Sequence, residues 1–323
     1  MKMKTPYRCQ VVGPGWSDDL SDDVTWVRGE PRPEEWKEIH GMIAHPGYPL
    51  GRTRLEQMTQ LLVIATYGTG YDYVDVKAAS DLGILVTHTP DAVVGATAEL
   101  GLTLTLALLR HVVQHDTRIR VANRSGAANP VFSDSQPAHD IQSQVVGLVG
   151  YGRVGQRLGS LLRAVGFAVR YTRPHGPLDG HLGYLPLAEL LASVDIVIMA
   201  TPLNAKTFHL IGASALSKMK PGGLLVNIGR GATVDQEALE EALVSGQLGG
   251  AALDVFEGEP LISDQLMALP QVILSPHVGS NTVETRAQMT HDAKSNIMSA
   301  FLGKAQNAIN AEHWRRRPTS SAR

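Results

Sequence analysis

Short apolar segments alternate with longer amphipathic segments along most of the chain. Apolar segments of strand length that are joined by helix-length connections are typical of parallel α/β sheets. In the first part of the chain this pattern predicts strands at residues 9–12, 42–44, 61–66 and 84–87. Helices are predicted at residues 54–59, 73–82 and 96–122, and the second of them is expected to end at Gly83 as its C-cap.

A second series of apolar segments follows. Its predicted strands lie at residues 145–149, 168–172, 196–200, 224–228, 251–255 and 272–275. A last predicted helix, residues 282–302, has no strand after it and is expected to return to the first series. The pattern therefore predicts two domains with a substrate cleft between them. Residues 1–93 and 286–323 would form one discontinuous domain, and residues 94–285 would form the other.

The first strand of the second series runs into the segment Gly150-Tyr151-Gly152-Arg153-Val154-Gly155, and an amphipathic stretch follows. Gly150 permits a tight turn, Gly152 lets backbone amides approach a pyrophosphate, and Gly155 lets the helix pack close to the strand. The N-terminus of that helix favours phosphate. We therefore predict an α/β fold with two doubly wound parallel sheets. In it, a dinucleotide-binding Rossmann domain is inserted in a flavodoxin-like substrate domain.

Composition excludes several classes of function. Lysine and arginine number 29 and aspartate and glutamate 31, so a net charge of -2 gives no basic face for nucleic acid. No apolar run is long enough to cross a bilayer, and residues 1–9 lack the apolar centre of a secretory signal. The single cysteine, Cys9, suits a reducing compartment. We expect a cytoplasmic protein with no nucleic-acid or membrane partner.

Three charged side chains, Arg230, Glu259 and His277, follow strands of the second series. Ligands of open α/β sheets bind at the carboxyl ends of the strands, so these side chains are expected to face one crevice. Arginine can hold a carboxylate or carbonyl by two hydrogen bonds, and histidine can give a proton to a new alkoxide. A carboxylate can fix the tautomer of that histidine. Taken singly, each of these residues could be an ordinary surface or turn residue. Together, and with a nicotinamide as hydride donor, they indicate carbonyl reduction.

The residues after the second strand of this domain bear on the choice of cofactor. A site for NAD usually has an acidic residue there, which binds the ribose 2′-hydroxyl. This chain has Thr172 and Arg173 instead, and no acid occurs between Gly155 and Asp179. A hydroxyl and a guanidinium can bind a 2′-phosphate, so NADP is the predicted cofactor. NAD stays open as the alternative, since Arg173 could point to solvent.

Taken together, the motifs resemble the D-isomer-specific 2-hydroxyacid dehydrogenase family. The matching stretches are residues 67–72, 96–100, 147–159, 220–235, 249–260 and 275–286. The resemblance implies that Arg230, Glu259 and His277 are the catalytic set, and that Arg230 and His277 also bind substrate. It implies a homodimer and a small 2-keto acid substrate, with glyoxylate and hydroxypyruvate foremost.

The same resemblance assigns further binding residues. Backbone N–H groups of the loop that contains Gly68, Thr69 and Gly70 would bind the substrate carboxylate. Asp254 would reach the nicotinamide amide, and Thr97 would lie close to the same ring. The other implied cofactor contacts, besides the glycine loop, are Thr201, Pro202, Ile228 and Gly279.

Alternatives remain at this point. Formate dehydrogenases carry glutamine where this chain has Glu259, which argues against formate. Phosphite dehydrogenase has a lysine in the substrate loop where this chain has Thr69, yet an enzyme of that kind, or another 2-hydroxyacid dehydrogenase, stays open. The C-terminal-binding co-repressors share the fold and bind dinucleotides without an enzymatic role, so a binding protein is the alternative from another class.

Three further features of the sequence are not assigned a function: a pair of spaced histidines, a basic tail and a long connection. His111 and His115 have the spacing of a helical zinc site, but the glutamate of such a motif and a third ligand are missing, so no metal is predicted. Arginines at residues 315–317 are expected to be a solvated tail. The connection at residues 123–144 contains Phe132 but no tryptophan, unlike many hydroxypyruvate reductases, and its role stays open.

Overall fold

The structure is a computed structural model and describes residues 7–12, 24–126 and 137–314. The chain separates into two compact units. One comprises the residues up to Val93 and those from Ser280 onward, and the other comprises Val94–Gly279. The predicted domain boundary between residues 285 and 286 falls inside the helix Val283–Phe301, whereas the units separate just before that helix.

The first unit contains a parallel five-stranded sheet. Its strands are β1 (Tyr7–Val11), β2 (Val24–Arg28), β3 (Gly41–Ala44), β4 (Val63–Thr66) and β5 (Leu85–Thr87). Their order, β2-β1-β3-β4-β5, is that of flavodoxin-like sheets. All residues of the central strands β3 and β4 are buried, which explains why these segments are continuously apolar rather than alternating.

Three helices of this unit are numbered by their place in the chain: α1 (Arg52–Gln57), α2 (Val76–Asp81) and α10 (Val283–Phe301). The Asp75 carboxylate caps α2 by accepting from the N–H of Ala78, and Gly83 follows the helix with a φ of 71°. The Thr282 hydroxyl caps α10 in the same way. The apolar face of α10 then packs on β3, β4 and β5.

The second unit contains a parallel six-stranded sheet. Its strands are β6 (Val145–Val149), β7 (Ala168–Thr172), β8 (Ile196–Met199), β9 (Gly223–Asn227), β10 (Leu248–Leu253) and β11 (Val272–Leu274). They are ordered β11-β10-β9-β8-β6-β7. A single parallel bridge from Tyr171 to Tyr184 stands where a Rossmann sheet has its third strand. The predicted fold class and the six predicted strands are confirmed.

The described residues of this unit form the α-helices α3 (Val94–Leu109), α4 (Val112–Ser125), α5 (Arg153–Ala164), α6 (Leu187–Ser193), α7 (Ala213–Leu216), α8 (Gln236–Val244) and α9 (Asp264–Ala268). Helix α5 buries Gly155, Leu158, Gly159 and Leu162 against the sheet and α3. The glycine motif after β6 is therefore followed by the amphipathic helix that the sequence predicts there.

Two expectations about secondary structure are wrong. Strand β2 has no predicted counterpart, because an edge strand of five residues with a single buried side chain gives little hydrophobic signal. The single helix predicted at residues 96–122 is two helices, α3 and α4, which meet at 59°. His111 adopts the left-handed conformation between them, with a φ of 54°, and this ends the run of α-helical hydrogen bonds. No single helix among the described residues is both long and apolar enough to span a membrane, although the bent pair α3 and α4 passes on length and composition.

Candidate active site

The turn after β6 is closed by two glycines. Gly150 has a φ of 99°, and a Cβ atom built there would lie 2.6 Å from the carbonyl oxygen of Ala200. A Cβ atom at Gly155 would lie 2.3 Å from the carbonyl oxygen of Gly150. Any side chain at either position would therefore collide with backbone, which is why this close approach of strand and helix requires glycine.

Gly152 has a different role, because no atom of the other described residues, its two chain neighbours aside, lies within 4 Å of the position of its missing Cβ. It is the N-cap of α5, and no side chain caps the helix there. The positive end of the twelve-residue helix thus has open space at Gly152, where a side chain would otherwise stand. This cradle of backbone amides fits a dinucleotide pyrophosphate, and a side chain at Gly152 would fill it.

The turn after β7 carries the two predicted cofactor-selecting residues. Thr172 ends the strand and is 8% exposed, and the partly exposed Arg173 follows it. Within the residues that the structure describes, the Arg173 guanidinium has no carboxylate partner. A positive side chain without an internal counter-charge suits a phosphate at this place.

A buried carboxylate, Asp254, organises the turn after β11. Its Oδ1 accepts hydrogen bonds from the Ser275 hydroxyl (2.7 Å) and the Val278 N–H (2.9 Å), and its Oδ2 accepts from the Gly279 N–H (2.9 Å). Burial raises the pKa of Asp254 although these hydrogen bonds act to lower it. Thr97 also lies close to this turn, because a Cβ atom at Gly279 would lie 3.4 Å from its methyl carbon. The predicted reach of Asp254 toward a nicotinamide amide stays a prediction.

His277 is fixed on this turn. Its N–H donates to the carbonyl of Asp254 over 2.8 Å, and its φ of 53° turns the side chain out of the strand direction. The ring Nδ1 lies 2.8 Å from Oε2 of Glu259. Since an ionised carboxylate can only accept, Nδ1 carries the hydrogen and donates it to Glu259. The other ring nitrogen, Nε2, is thereby left to act on a substrate.

Glu259 is held from two sides. Its Oε1 accepts from the N–H of Phe256 over 2.9 Å, while Oε2 accepts from His277. Burial acts to raise the pKa of Glu259, but the hydrogen bond and charge of His277, the Phe256 N–H and the charge of Arg230 outweigh it, so the pKa is lowered. Glu259 is therefore ionised near neutral pH and can accept the hydrogen bond from His277 Nδ1.

Arg230 follows β9 on a tightly bonded turn. Its carbonyl accepts hydrogen bonds from the Asn227 amide (3.1 Å) and the Thr233 hydroxyl (2.7 Å). Its guanidinium donates to the Gly229 carbonyl over 2.8 Å, and its charge acts on Glu259. The structure thus brings all three predicted catalytic side chains to the carboxyl ends of β9, β10 and β11, in one unit.

The remaining predicted cofactor residues lie at the same edge of the sheet. The Thr201 hydroxyl donates to the Val149 carbonyl over 2.7 Å, beside Gly150. Ile228 is buried next to Gly101 of α3, and Pro202 is exposed while its carbonyl accepts from Thr207. Arg153 and Val154 form the first turn of α5. Their contacts with a cofactor stay predictions.

Sequence reasoning missed a close side-chain contact beside the catalytic loop. His209 Nε2 lies 2.8 Å from Glu257 Oε1, and His209 Nδ1 lies 3.7 Å from Asp235. The backbone N–H of His209 donates to the carbonyl of Ala232, so this residue ties the loop of Glu257 to the turn that follows Arg230. A histidine with a left-handed backbone (φ 48°) gives no periodic signal that could have revealed the pair.

In the first unit, the predicted carboxylate-binding loop follows β4. The Gly68 N–H is already used, since it donates to the Thr89 hydroxyl over 3.0 Å. Across the described part of the chain, no hydrogen bond engages the N–H groups of Thr69 and Gly70. Those two amides are the ones that fit the predicted role.

The spaced histidines lie in the described part of the chain, whereas the basic tail does not. The rings of His111 and His115 are in edge contact, and within residues 7–12, 24–126 and 137–314 no three His, Cys, Asp or Glu side chains are placed to hold a metal. Residues 315–317 and Phe132 lie outside the described residues.

Comparison with known proteins now identifies the class. Residues 102–279 match the family model described as D-isomer specific 2-hydroxyacid dehydrogenase, NAD binding domain. A glyoxylate reductase of Thermococcus gammatolerans is 41% identical over 280 residues, which cover 84% of this chain and 82% of that protein. The chain belongs to the D-isomer specific 2-hydroxyacid dehydrogenases. It is an NAD(P)-dependent oxidoreductase of that family.

Particular relatives are similar over nearly the whole chain. Glyoxylate/hydroxypyruvate reductase B of Pectobacterium carotovorum is 36% identical, over 84% of this chain and 85% of that protein. Among solved structures, an NADPH-dependent glyoxylate/hydroxypyruvate reductase of Sinorhizobium meliloti, in complex with NADP and malonate, is 33% identical with a TM-score of 0.86. That likeness covers 98% of this chain and 100% of the other.

Proposed function

We propose that this protein reduces small 2-keto acids to 2-hydroxy acids, with glyoxylate and hydroxypyruvate as substrates. The observation that carries the proposal is the hydrogen bond between His277 Nδ1 and Glu259, beside the charge of Arg230, in the NAD-binding domain. The Thermococcus relative is described as a glyoxylate reductase and the Pectobacterium relative as a glyoxylate/hydroxypyruvate reductase.

Each of the three side chains has one task in this proposal. Arg230 holds the substrate carboxylate and carbonyl through its fork of N–H groups. His277 delivers the proton on Nε2 to the carbonyl oxygen as charge develops there. Glu259 keeps Nδ1 protonated and stabilises the imidazolium before the proton leaves. A bound nicotinamide supplies the hydride.

NADPH is the proposed reductant. The turn of Thr172 and Arg173 supports it, because the described part of the chain offers Arg173 no carboxylate partner and the turn holds no acid that would repel a 2′-phosphate. The Sinorhizobium relative is described as NADPH-dependent. Turnover with NADPH well above that with NADH, across 2-keto acids from glyoxylate to phenylpyruvate, is the expected result.

His277→Ala tests the catalytic assignment. Turnover of glyoxylate should fall by about 100- to 10,000-fold, the usual worth of a positioned general acid. NADPH affinity, measured by the fluorescence of the bound nucleotide, should stay within about twofold, because the glycine loop does not depend on the His277 ring. Lost NADPH binding with unchanged turnover per bound site would contradict the assignment. NADPH binding by the wild type without turnover of any keto acid would favour a non-enzymatic binding protein.

A homodimer is part of the proposal, with α4 as its contact. This helix buries none of its residues, and Val112, Val113, Ile119 and Val121 are each more than 40% exposed. Exposed apolar side chains concentrated on one helix are typical of an interface. Light scattering should give twice the chain mass, and Ile119→Lys should shift the measured mass toward that of the monomer.

A cytoplasmic location is proposed because the single cysteine, Cys9, is a buried free thiol, and cell fractionation tests this location.

A further inference from the structure

The loop after β7, residues 173–184, replaces a strand of the sheet. The only pairing of this loop with the outer edge of β7 is the bridge between Tyr171 and Tyr184 within the described residues. The loop begins with Arg173, which is proposed to bind the 2′-phosphate. Without a third strand to hold it, some other contact must fix its conformation.

The hydroxyl of Tyr171 supplies that contact. Tyr171 is fully buried, and its hydroxyl accepts from the N–H of Leu178 (2.9 Å) and donates to the carbonyl of His181 (3.1 Å). Its backbone N–H and carbonyl bind Gly183 and Leu185, each over 2.9 Å. One residue of β7 therefore closes the loop at several points.

A second tyrosine joins this loop to the phosphate-binding turn. Tyr151 lies between Gly150 and Gly152, and its ring stacks on that of Tyr171 with centroids 3.9 Å apart. The Tyr151 hydroxyl lies 3.2 Å from His181 Nδ1 and accepts from Arg163 at the same distance. The glycine loop and the loop of Arg173 are thus held by one aromatic cluster, made of Tyr151, Tyr171 and His181.

The two loops that this cluster joins would bind two different groups of one ligand. The amides at Gly152 would hold the pyrophosphate and Arg173 the 2′-phosphate, and one ribose links the two groups on the dinucleotide. If the loop were flexible, it would lose conformational entropy on binding the 2′-phosphate, and this loss would weaken binding. A loop that is already fixed does not lose that entropy. Only the dinucleotide that carries the 2′-phosphate gains from this fixation.

We infer that Tyr151, Tyr171 and His181 are positioning residues that set the selectivity for the 2′-phosphate of NADPH over NADH. The inference rests on the proposed NADPH preference and goes beyond it, because none of the three side chains need touch the cofactor. Their hydroxyl and imidazole hydrogen bonds fix the loop that presents Arg173.

Tyr171→Phe is the central test, since it keeps the stacked ring and removes both hydroxyl hydrogen bonds. In the full-length protein, the Kd for NADPH should rise about tenfold, as expected for the loss of two hydrogen bonds. The Kd for NADH should change by less than about twofold. Both constants are measured by nucleotide fluorescence, without substrate. Tyr151→Phe, which removes the contact with His181, should act in the same direction and serves if Tyr171→Phe does not fold.

Tyr184→Phe is the matched control. Its ring also contacts that of Tyr171, but its hydroxyl makes no hydrogen bond with any of the described residues, so both dissociation constants should stay at wild-type values.

Arg173→Ala distinguishes a failure of the proposed NADPH preference from a failure of the inference about the aromatic cluster. Unchanged NADPH affinity in Arg173→Ala would overturn the proposed preference and the inference with it. The inference alone would be overturned if Arg173→Ala bound NADPH more weakly but Tyr171→Phe did not discriminate between the nucleotides. In that case the Kd values of Tyr171→Phe for NADPH and NADH would change equally or not at all.

Discussion

The glycine loop after β6 and the turn after β11 both lie at the carboxyl edge of one sheet, yet they are built differently. The first is shaped by backbone contact, with Gly155 against the carbonyl of Gly150. The second is shaped by side chains, with the buried carboxylate of Asp254 holding Ser275, Val278 and Gly279 around His277. A site that must fit a rigid phosphate uses fixed amides, and one that must move a proton uses groups that titrate.

The largest expected effect comes from breaking the backbone-built site. Gly155→Ala places a methyl group 2.3 Å from a backbone oxygen, so β6 and α5 must separate. We expect a lower melting temperature and no measurable dinucleotide binding. In Gly152→Ala the methyl group meets no protein atom, so the melting temperature should hold while binding is lost. Dinucleotide binding by Gly152→Ala at the affinity of the wild type would show that the open space at Gly152 is not a ligand site.

Glu259→Gln sharpens the comparison at the side-chain site. The amide oxygen of glutamine can still accept from His277 Nδ1, but the negative charge that stabilises an imidazolium is gone. We expect kcat for glyoxylate to fall roughly tenfold to hundredfold, less than in His277→Ala, because the ring stays oriented. NADPH affinity provides the control, and a kcat equal to that of the wild type across pH 5–9 would remove Glu259 from the proposed mechanism.

A smaller effect is expected on the stability of the fold in acid, where the carboxylates of the side-chain site, Glu259 and Asp254, become protonated. The pKa of Glu259 is lowered in the folded state, so its interactions stabilise the protein above the ordinary glutamate pKa of about 4.3. This contribution is lost as the pH falls through the lowered, folded-state pKa. The raised pKa of Asp254 acts oppositely and favours the folded state at low pH. Thermal melts from pH 7 to 3 should show Glu259→Gln losing less stability on acidification than the wild type does.

The smallest effect is expected at His209. Its pair with Glu257 is partly exposed, with about a third of each side chain accessible, and such pairs contribute roughly 0.2–1 kcal/mol. His209→Gln should therefore lower kcat by a factor of about five at most, through a looser loop around Glu259. The Kd for NADPH should not change. A loss as large as that of Glu259→Gln would make His209 part of the proton path.

The contrast also explains what the sequence could reveal. Glycine spacing and the apolar strands around it are local signals, so the glycine loop, the sheet and the strand-end positions of Arg230, Glu259 and His277 could all be predicted. Strand β2 and the break at His111 could not, because the first buries a single residue and the second interrupts an apolar run without glycine or proline. The contact of His209 with Glu257 joins residues 48 positions apart, and no periodicity encodes it.

The helix α10 has a consequence for the order in which the chain is made. It covers β3, β4 and β5 with Ala293, Ile297, Ala300 and Phe301, yet the ribosome must first synthesise the whole of Val94–Gly279. At the usual elongation rate of about 5–20 residues per second, that interval lasts roughly 10–40 s. During this time one apolar face of the first sheet lacks its cover, while the inserted unit can already fold. The nascent N-terminal segment therefore exposes apolar surface until α10 has been made, and the unit whose synthesis starts first is completed last.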